Sequence, residues 1–294
     1  MNTSPQLRPA QARRPIARSF RHAFAVILGT NEIASAVAVY LHRAGWCTVL
    51  SHDPYPPVIR RRMAYHDALF EDRADVDGLP GVFTETTLDA ANLLDRGRCV
   101  AVTRLGLLDL IPMSAIHVLV DARMQKRDAV ADLRHLASLT VGVGPGFAVA
   151  KNCDIAIETR PAKSGAVLYT GQTDAVDGKA QLLGGVGAER FVYSETTGRW
   201  HSAVDIGTPV SKDSPAGLLN GLPVLAPLDG IVRGIVRDGL EVPAGVKLLE
   251  IDPRERPSWA GIDERGRGIA RATLNAIAFE NARRARAGAF VSLV

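Results

Sequence analysis

A short turn near the beginning of the chain carries the residue types that bind phosphate in dinucleotide-binding proteins. Leu28–Ala34 reads LGTNEIA and follows an apolar run, where such proteins have G-x-G-x-x-G or G-x-G-x-x-A. Gly29 and Ala34 fit the outer positions of this motif, whereas Asn31 replaces the central glycine. Asparagine tolerates a positive φ, so we expect the turn to persist and the following helix to offer its N–H groups to an anion. The alternative, a vestigial turn that only closes the fold, stays open.

Charged side chains follow this turn along the sequence. Asp53 lies 24 residues after Gly29, near the position where an acidic residue binds a ribose hydroxyl. Arg60 and Arg61 begin the next predicted helix together with Arg62, and adjacent guanidinium groups can hold a phosphate in a bidentate manner. The other interpretation is an exposed helical face, on which at most two of these arginines would converge.

Two further segments place polar or glycine-rich sequence at the ends of predicted strands. Asp121 and Arg123 stand at the carboxyl end of one strand, where ligands bind in open α/β sheets, although such a pair can also be purely structural. Gly142, Gly144 and Gly146 belong to the sequence GVGPGF, whose backbone N–H groups can form a nest for an anion. A tight turn without a ligand is the alternative. We predict that these segments and the first turn line one ligand-binding crevice.

Alternating strand and helix patterns indicate how these residues are positioned. Apolar runs without polar alternation, typical of strands that are buried on both faces, are separated by amphipathic helical segments. The pattern predicts an α/β fold with a doubly wound parallel sheet, a Rossmann-like domain over residues 22–160. The runs are Phe24–Leu28, Cys47–Leu50, Cys99–Val102, Ile116–Val120, Leu139–Val143 and Ile155–Ile157.

The second half of the chain differs from the first in composition and in residue pattern. Glycines and short β-branched runs predominate over residues 165–255, and a pattern of glycine and valine in residues 198–210 recurs 32 residues later. We predict a β-rich domain similar to the barrel-sandwich hybrid of biotinyl and lipoyl carrier domains. The segment between the repeats, residues 218–223, lacks the lysine that carrier domains modify, so we expect no swinging arm. Apolar residues at helical spacing predict a C-terminal helix over residues 260–280.

The composition is that of an ordinary globular protein, with 47% hydrophobic and 22% charged residues. The net charge of +4 arises from arginine-rich tails at residues 1–21 and 281–294, because subtracting their eight arginines leaves −4 for the remainder. We predict solvated tails, disordered at the N-terminus, and no nucleic acid partner. No apolar run reaches the roughly 20 residues that a membrane-spanning helix needs. Three cysteines without metal-ligand spacing predict no metal site and a cytoplasmic location.

Four motifs, in order along the chain, give the sequence a family resemblance. They are VDARMQKR (120–127), GVGPGF with the following DIAIET (142–159), LAPLDGIVRGIVRDGLEVPAGVKLLEIDPR (225–254) and IDERGRGIARATLNAI (262–277). With these motifs the chain resembles, from about residue 24 to residue 279, the accessory proteins of the selenium-dependent molybdenum hydroxylase system. Those proteins are related by fold to the xanthine dehydrogenase accessory proteins.

The resemblance implies a role in maturing a molybdenum hydroxylase, which would be the partner protein. It also implies a dinucleotide-type ligand in the crevice, such as molybdopterin cytosine dinucleotide. The sequence departs from the family at Asn31 and at residues 160–163, where family members tend to have a histidine-containing run. Two alternatives stay open, an NAD(P)-dependent oxidoreductase with Asp53 on the ribose and a non-enzymatic scaffold. The sequence decides neither whether the protein is an enzyme nor whether it forms a homo-oligomer.

Candidate catalytic groups are few. Cys153 follows the second glycine loop, and its thiolate could carry the terminal sulfur that molybdenum hydroxylases need. A single cysteine beside an apolar strand is more often an inert core residue. Glu158, at the end of the predicted strand Ile155–Ile157, is the remaining acid–base candidate, and it could equally cap a helix or pair with Arg160.

Overall fold

The structure covers most of the chain. A computed structural model describes residues 23–125, 130–176 and 178–291, with side chains up to residue 286. The predicted N-terminal tail, residues 1–21, lies outside the described residues.

Nine strands form the largest sheet. They are β1 (Phe24–Leu28), β2 (Cys47–Ser51), β3 (Arg73–Val76), β4 (Leu79–Phe83), β5 (Val100–Thr103), β6 (Val118–Asp121), β7 (Leu139–Val143), β8 (Ile155–Ile157) and β9 (Val167–Leu168). Their order across the sheet is β3-β4-β5-β2-β1-β6-β7-β8-β9. Neighbouring strands from β4 to β8 are parallel, and the edge strands β3 and β9 pair in the antiparallel sense. The carboxyl ends of the central strands therefore meet along one edge, as the sequence predicts for the crevice residues.

Helices cover this sheet on both faces. They are α1 (Glu32–Arg43), α2 (Ala68–Glu71), α3 (Thr87–Asp95), α4 (Leu107–Leu110) and the C-terminal α5 (Glu264–Val291). Apolar residues of α1 and α5, such as Val37 and Ile277, share one buried core, and residues of α3 and α4, such as Leu94 and Leu110, belong to a second. Because both faces are covered, every residue of β1, β2 and β7 is buried, which explains the continuous apolar runs.

Eight further strands follow, and they build two antiparallel sheets of four strands each. They are β10 (Phe191–Tyr193), β11 (Gly198–Ser202), β12 (Pro209–Val210), β13 (Pro215–Leu219), β14 (Leu222–Leu225), β15 (Gly230–Ile235), β16 (Glu241–Val242) and β17 (Lys247–Asp252). The orders are β10-β17-β15-β12 and β14-β13-β11-β16. A common apolar core contains Trp200, whose indole N–H donates to the carbonyl of Val236 at 3.1 Å. The prediction of a β-rich second half is confirmed.

The C-terminal helix is longer than its apolar spacing predicts. Its start is fixed by Asp263, whose carboxylate accepts a hydrogen bond from the N–H of Gly266 at 2.7 Å. The helix continues beyond residue 280 to Val291. Glu280 pairs there with Arg283 and Arg284, each at 2.7 Å, and ion pairs at these spacings support a helix beyond the predicted range. Among the described residues, no helix is long and apolar enough to cross a bilayer.

Candidate functional site

The first turn joins β1 to α1, and its glycine is required by a close crossing of the chain. Gly29 has a φ of +105°, and a Cβ at this position would lie 3.0 Å from the carbonyl oxygen of Ala122. The segment that follows β6 thus passes directly over the turn. Asn31 does not adopt a positive φ; its φ is −73°, and it is the N-cap residue of α1.

The side chain of Asn31 caps the N–H groups at the start of α1. Its Oδ1 accepts hydrogen bonds from the N–H groups of Ile33 and Ala34, both at 3.0 Å, and its Nδ2 donates to the carbonyl of Ala122 at 2.7 Å. Those N–H groups are among the donors that a helix N-terminus offers to an anion. The carboxylate of Glu32, in the first turn of the same helix, adds negative charge that opposes a phosphate.

The structure brings Asp53, Asp121 and Arg123 together at the carboxyl ends of β2 and β6. Arg123 donates to both carboxylate oxygens of Asp121, at 3.0 and 2.7 Å, and its Nη1 lies 3.6 Å from Asp53. Asp53 also accepts from the Gln125 amide at 2.9 Å and from the N–H of Tyr55 at 3.0 Å. The hydrogen bonds to Asp121 raise the pKa of Arg123, so these groups act first as partners of one another.

Arg60 and Arg61 both contact the antiparallel sheets, and Arg60 also contacts the first turn of α1. They lie in and just before a single 3-10 turn, Arg61–Met63, rather than on the predicted helix. Arg60 donates to Glu250 at 2.6 and 3.0 Å and to Glu32 at 2.9 Å. Arg61 donates to Asp67 at 2.7 Å, while its other nitrogens reach Asp205 and the carbonyl of Ile235, both at 3.1 Å. The predicted phosphate clamp is thus occupied by carboxylates of the chain itself.

The second glycine loop is closed by its own neighbours. A Cβ at Gly142 would lie 2.0 Å from the ring of Phe147, so the aromatic ring already fills the space beside the strand. At Gly144, with φ +107°, the sulfur of Met124 lies 3.0 Å from the same virtual position. Gly146, with φ +87°, is covered in the same way by Val130 at 3.1 Å. These three glycines permit tight packing and turns.

The two catalytic candidates, Cys153 and Glu158, are buried within the fold. Burial of Cys153, which is 1% exposed, raises its thiol pKa to about 12, and the cavity it lines measures about 10 Å³, too small for a substrate. The buried carboxylate of Glu158 accepts hydrogen bonds from the N–H groups of Thr159, Arg160 and Asp174, at 2.7 to 2.8 Å. Neither group is presented to a ligand.

A histidine pair, His52 and His66, lies at the same edge of the sheet, and its contact with Thr30 is not predicted by the sequence. The hydroxyl of Thr30 lies 3.2 Å from Nδ1 of His52 and 3.0 Å from Nδ1 of His66. Burial, followed by the charges of His52 and nearby arginines, lowers the pKa of His66 to about 3, so its imidazole is neutral at pH 7. Thr30 is the second residue after β1, and His52 is the first residue after the neighbouring strand β2, which is the signal that could have revealed the contact.

We expect Thr30→Val to lower the free energy of unfolding by about 1–3 kcal/mol, because a buried imidazole nitrogen of His66 and a half-buried one of His52 lose their shared partner. Urea denaturation at pH 7, followed by circular dichroism, measures the change. Thr30→Ser is the matched control, since it keeps the hydroxyl. If the valine and serine variants lose the same stability, the hydroxyl does not bridge the two rings.

Comparisons with known proteins give one similar sequence. No family model matches the chain. The chain is similar to YqeB of Escherichia coli. Identity to this uncharacterized protein of strain K12 is 30% over 260 residues, which cover 87% of the chain and 47% of YqeB. The chain therefore spans about half the length of the curated relative that it matches.

Solved structures share little with the chain. The apo structure of the ectoine utilization protein EutE (DoeB) from Ruegeria pomeroyi aligns with 79% of this chain and 87% of its own, at 13% identity and a TM-score of 0.25. The succinylglutamatedesuccinylase/aspartoacylase from Rhodobacter sphaeroides aligns with 79% and 86%, at 15% identity and a TM-score of 0.23. These TM-scores are too low to indicate a common fold.

Proposed function

We propose that this chain is a non-enzymatic accessory protein for a molybdenum hydroxylase and that it acts in the cytoplasm through protein contacts. The four sequence motifs described above support the accessory role, and the similarity to YqeB agrees with that resemblance without adding a biochemical activity. The observation that carries the non-enzymatic part is the side chain of Asn31. Its three hydrogen bonds occupy the place that a dinucleotide would need.

The strand orders of the sheets support a division of the chain into two domains. The strands β5-β2-β1-β6-β7-β8, renumbered along the chain, follow the order 3-2-1-4-5-6, which is that of dinucleotide-binding folds. This order supports a Rossmann-like domain over residues 22–160. The two four-stranded sheets around Trp200 support a barrel-sandwich-like domain over residues 165–255. The accessory protein would thus retain a nucleotide-binding architecture with an altered first turn.

The residues present do not fit the dinucleotides that the sequence suggests. A molybdopterin dinucleotide and NAD(P) would both place a pyrophosphate on the N–H groups of Ile33 and Ala34, which already donate to Asn31. Asp53, the predicted ribose partner, is paired with Gln125 and faces Arg123. The same contacts therefore weigh against the maturation role with a bound cofactor and against the oxidoreductase alternative.

A titration of wild type and Asn31→Gly tests this part of the proposal. We expect isothermal titration calorimetry to detect no binding of NADH, NADPH or molybdopterin cytosine dinucleotide by the wild type. Asn31→Gly restores the sequence G-x-G-x-x-A and frees the two N–H groups, at a cost in helix stability of only a few tenths of a kcal/mol. We expect this variant to bind at least one of the three ligands.

The two arms of the titration separate the outcomes. Micromolar binding of any of these ligands by the wild type would overturn the closed-turn interpretation. If neither protein binds a ligand, Asn31 alone does not explain why the turn is closed. The pairing of Asp53 and Asp121 with Arg123 would then be the next interaction to remove by substitution. Turnover of NADH or NADPH by the wild type would establish the oxidoreductase instead.

The accessory role itself needs a second experiment. A molybdenum hydroxylase is produced in cells with the wild-type chain, with Asn31→Gly and without the chain, and the molybdenum content and activity of the purified hydroxylase are compared. We expect both quantities to depend on the presence of the chain. Equal molybdenum content and activity with and without the chain would rule out the role, whatever the ligand titration shows.

A further inference from the structure

Two cysteines that are far apart in sequence lie on neighbouring strands or beside them, at the end of the large sheet opposite the crevice. The parallel strands β2 and β5 pair in the register Val49 with Ala101. Two residues earlier on both strands, the same register places Cys47 opposite Cys99. Cys47, Val49 and Ala101 belong to one apolar core on one face of the sheet. Since side chains alternate between faces, Cys47 projects to that face, and Cys99, just before β5, lines the same cavity as Cys47.

The spacing of the sheet suits a bond between the two sulfurs. Adjacent strands lie about 4.8 Å apart, and disulfides usually join Cα atoms about 4.4–6.8 Å apart. Cys99 precedes the first residue of β5, so its backbone is not held in the strand ladder and can make the small adjustment that the Cβ separation requires. The two residues are 6% and 7% exposed and carry no disulfide in the structure.

Cys47 and Cys99 both line one cavity. It measures about 80 Å³, and Trp46, Leu94 and His42 contribute to its wall. This volume accepts a molecule as small as hydrogen peroxide beside the thiols. Nδ1 of His42 is buried and has no hydrogen-bond partner within the described part of the chain. Burial lowers the pKa of this imidazole, which is therefore neutral at pH 7.

We propose that Cys47 and Cys99 form a reversible disulfide when the protein meets a peroxide. This inference goes beyond the accessory function and does not depend on it. The sulfur of Cys99 attacks one peroxide oxygen, the O–O bond breaks, and a sulfenic acid and water form. The sulfur of Cys47 then attacks the sulfenic sulfur, and the expelled hydroxide takes the remaining thiol proton as a second water. Two thiols lose two electrons and two protons, and the peroxide is reduced to two waters.

The roles of the two sulfurs follow from their surroundings. Burial raises the pKa of Cys99, while the charges of Arg73 and Arg96 act in the opposite direction and favour its thiolate. We assign Cys99 as the first sulfur to react because it precedes β5 and is not held within a strand, whereas Cys47 lies inside β2. A small dithiol reverses the bond by thiol–disulfide exchange. The cross-link closes a long loop of chain, so oxidation should raise the Tm by about 5 °C.

The test treats wild type, Cys47→Ser, Cys99→Ser and Cys153→Ser with hydrogen peroxide. Circular dichroism checks that each protein stays folded, the remaining thiols are alkylated in denaturant, and peptides are identified by mass spectrometry. We expect wild type and the matched control Cys153→Ser to yield a peptide pair joined through residues 47 and 99, which dithiothreitol separates. In Cys47→Ser, dimedone should trap a sulfenic acid on Cys99.

Three results would contradict the proposal or one of its parts. If Cys47 and Cys99 of folded wild-type protein both remain alkylatable after peroxide treatment, the two thiols do not form a bond and the proposal is wrong. If the cross-link forms only between separate molecules, the register argument fails. If dimedone labels Cys47 in Cys99→Ser faster than Cys99 in Cys47→Ser, the assignment of the first sulfur is overturned.

Discussion

Glu250→Gln should lower the free energy of unfolding by about 3–5 kcal/mol, because it removes the charge shared by three buried or half-buried arginines. Glu250 is fully buried, and Arg60 approaches it at 2.6 Å and Arg190 at 3.0 Å. Arg233 lies 3.6 Å away and is 2% exposed. Arg190 and Arg233 are out of reach of water, so each would keep a buried positive charge with fewer carboxylates around it.

Urea denaturation of wild type and Glu250→Gln measures this loss. Glu241→Gln is the matched control, because Glu241 also belongs to an arginine pair, 3.0 Å from Arg199, but both side chains are more than half exposed. Exposed pairs contribute about 0–1 kcal/mol, so the control should stay close to wild type. A loss for Glu250→Gln that is no larger than the loss for Glu241→Gln would show that the buried cluster does not hold the sheets together.

The same carboxylate predicts an acid-sensitive fold. Burial by itself raises the pKa of Glu250, but the charges of Arg60, Arg233 and Arg190 outweigh burial and hold the pKa at about 2, below the ordinary 4.5. Because the folded-state pKa is depressed, the contribution is present above pH 4.5 and is lost as the pH falls from 4.5 towards 2. Glu250→Gln should show less dependence on pH over this interval than the wild type.

Gly142→Ala should destabilise the protein by about 1–3 kcal/mol, because the new methyl group would overlap the ring of Phe147. The ring atom nearest to the added Cβ lies at 2.0 Å, and Phe147 is 6% exposed, so the ring cannot simply turn outwards. The variant also tests the site, since an open loop that could bind an anion would accept a methyl group without cost. Thermal and urea denaturation both report the change.

Two companion variants define the cause. Gly268→Ala adds a methyl group within α5, where nothing lies within 4 Å, and it should stabilise the protein by about 0.5–1 kcal/mol. Phe147→Ala removes the obstructing ring, so the cost of Gly142→Ala should shrink in that background, as a double-mutant cycle would show. An unchanged cost in the absence of the ring would place the strain in the backbone of β7 instead.

The strands of the large sheet could be predicted because each is buried on both faces. The apolar runs Phe24–Leu28 and Leu139–Val143 coincide with β1 and β7, and Cys47–Leu50 is one residue shorter than β2. The hairpin of β3 and β4 was missed, although its Asp77-Gly78 turn, with both φ values positive, is a strong hairpin signal. Its partly exposed strands lack the continuous apolar character that identified the others.

The candidate site was predictable only in part. The meeting of Asp53 with Asp121 and Arg123 follows from the parallel order of strands, because strand ends share one edge. The destination of Arg60 does not, since its partner Glu250 lies 190 residues further along the chain. The role of Asn31 was hidden for a similar reason. A motif shows that a glycine is missing, but the contact with Ala122 depends on where the segment after β6 crosses.

The cluster around Glu250 also limits how this chain can be recombined. Arg60 comes from the part of the sequence that builds the parallel sheet, whereas Arg190, Arg233 and the carboxylate come from the part that builds the antiparallel sheets. A chimera that takes one of these parts from a relative must therefore inherit compatible charges in the other. A chimera without compatible charges would leave an arginine of one part without its carboxylate, or would leave an unbalanced charge in the buried cluster of the other part.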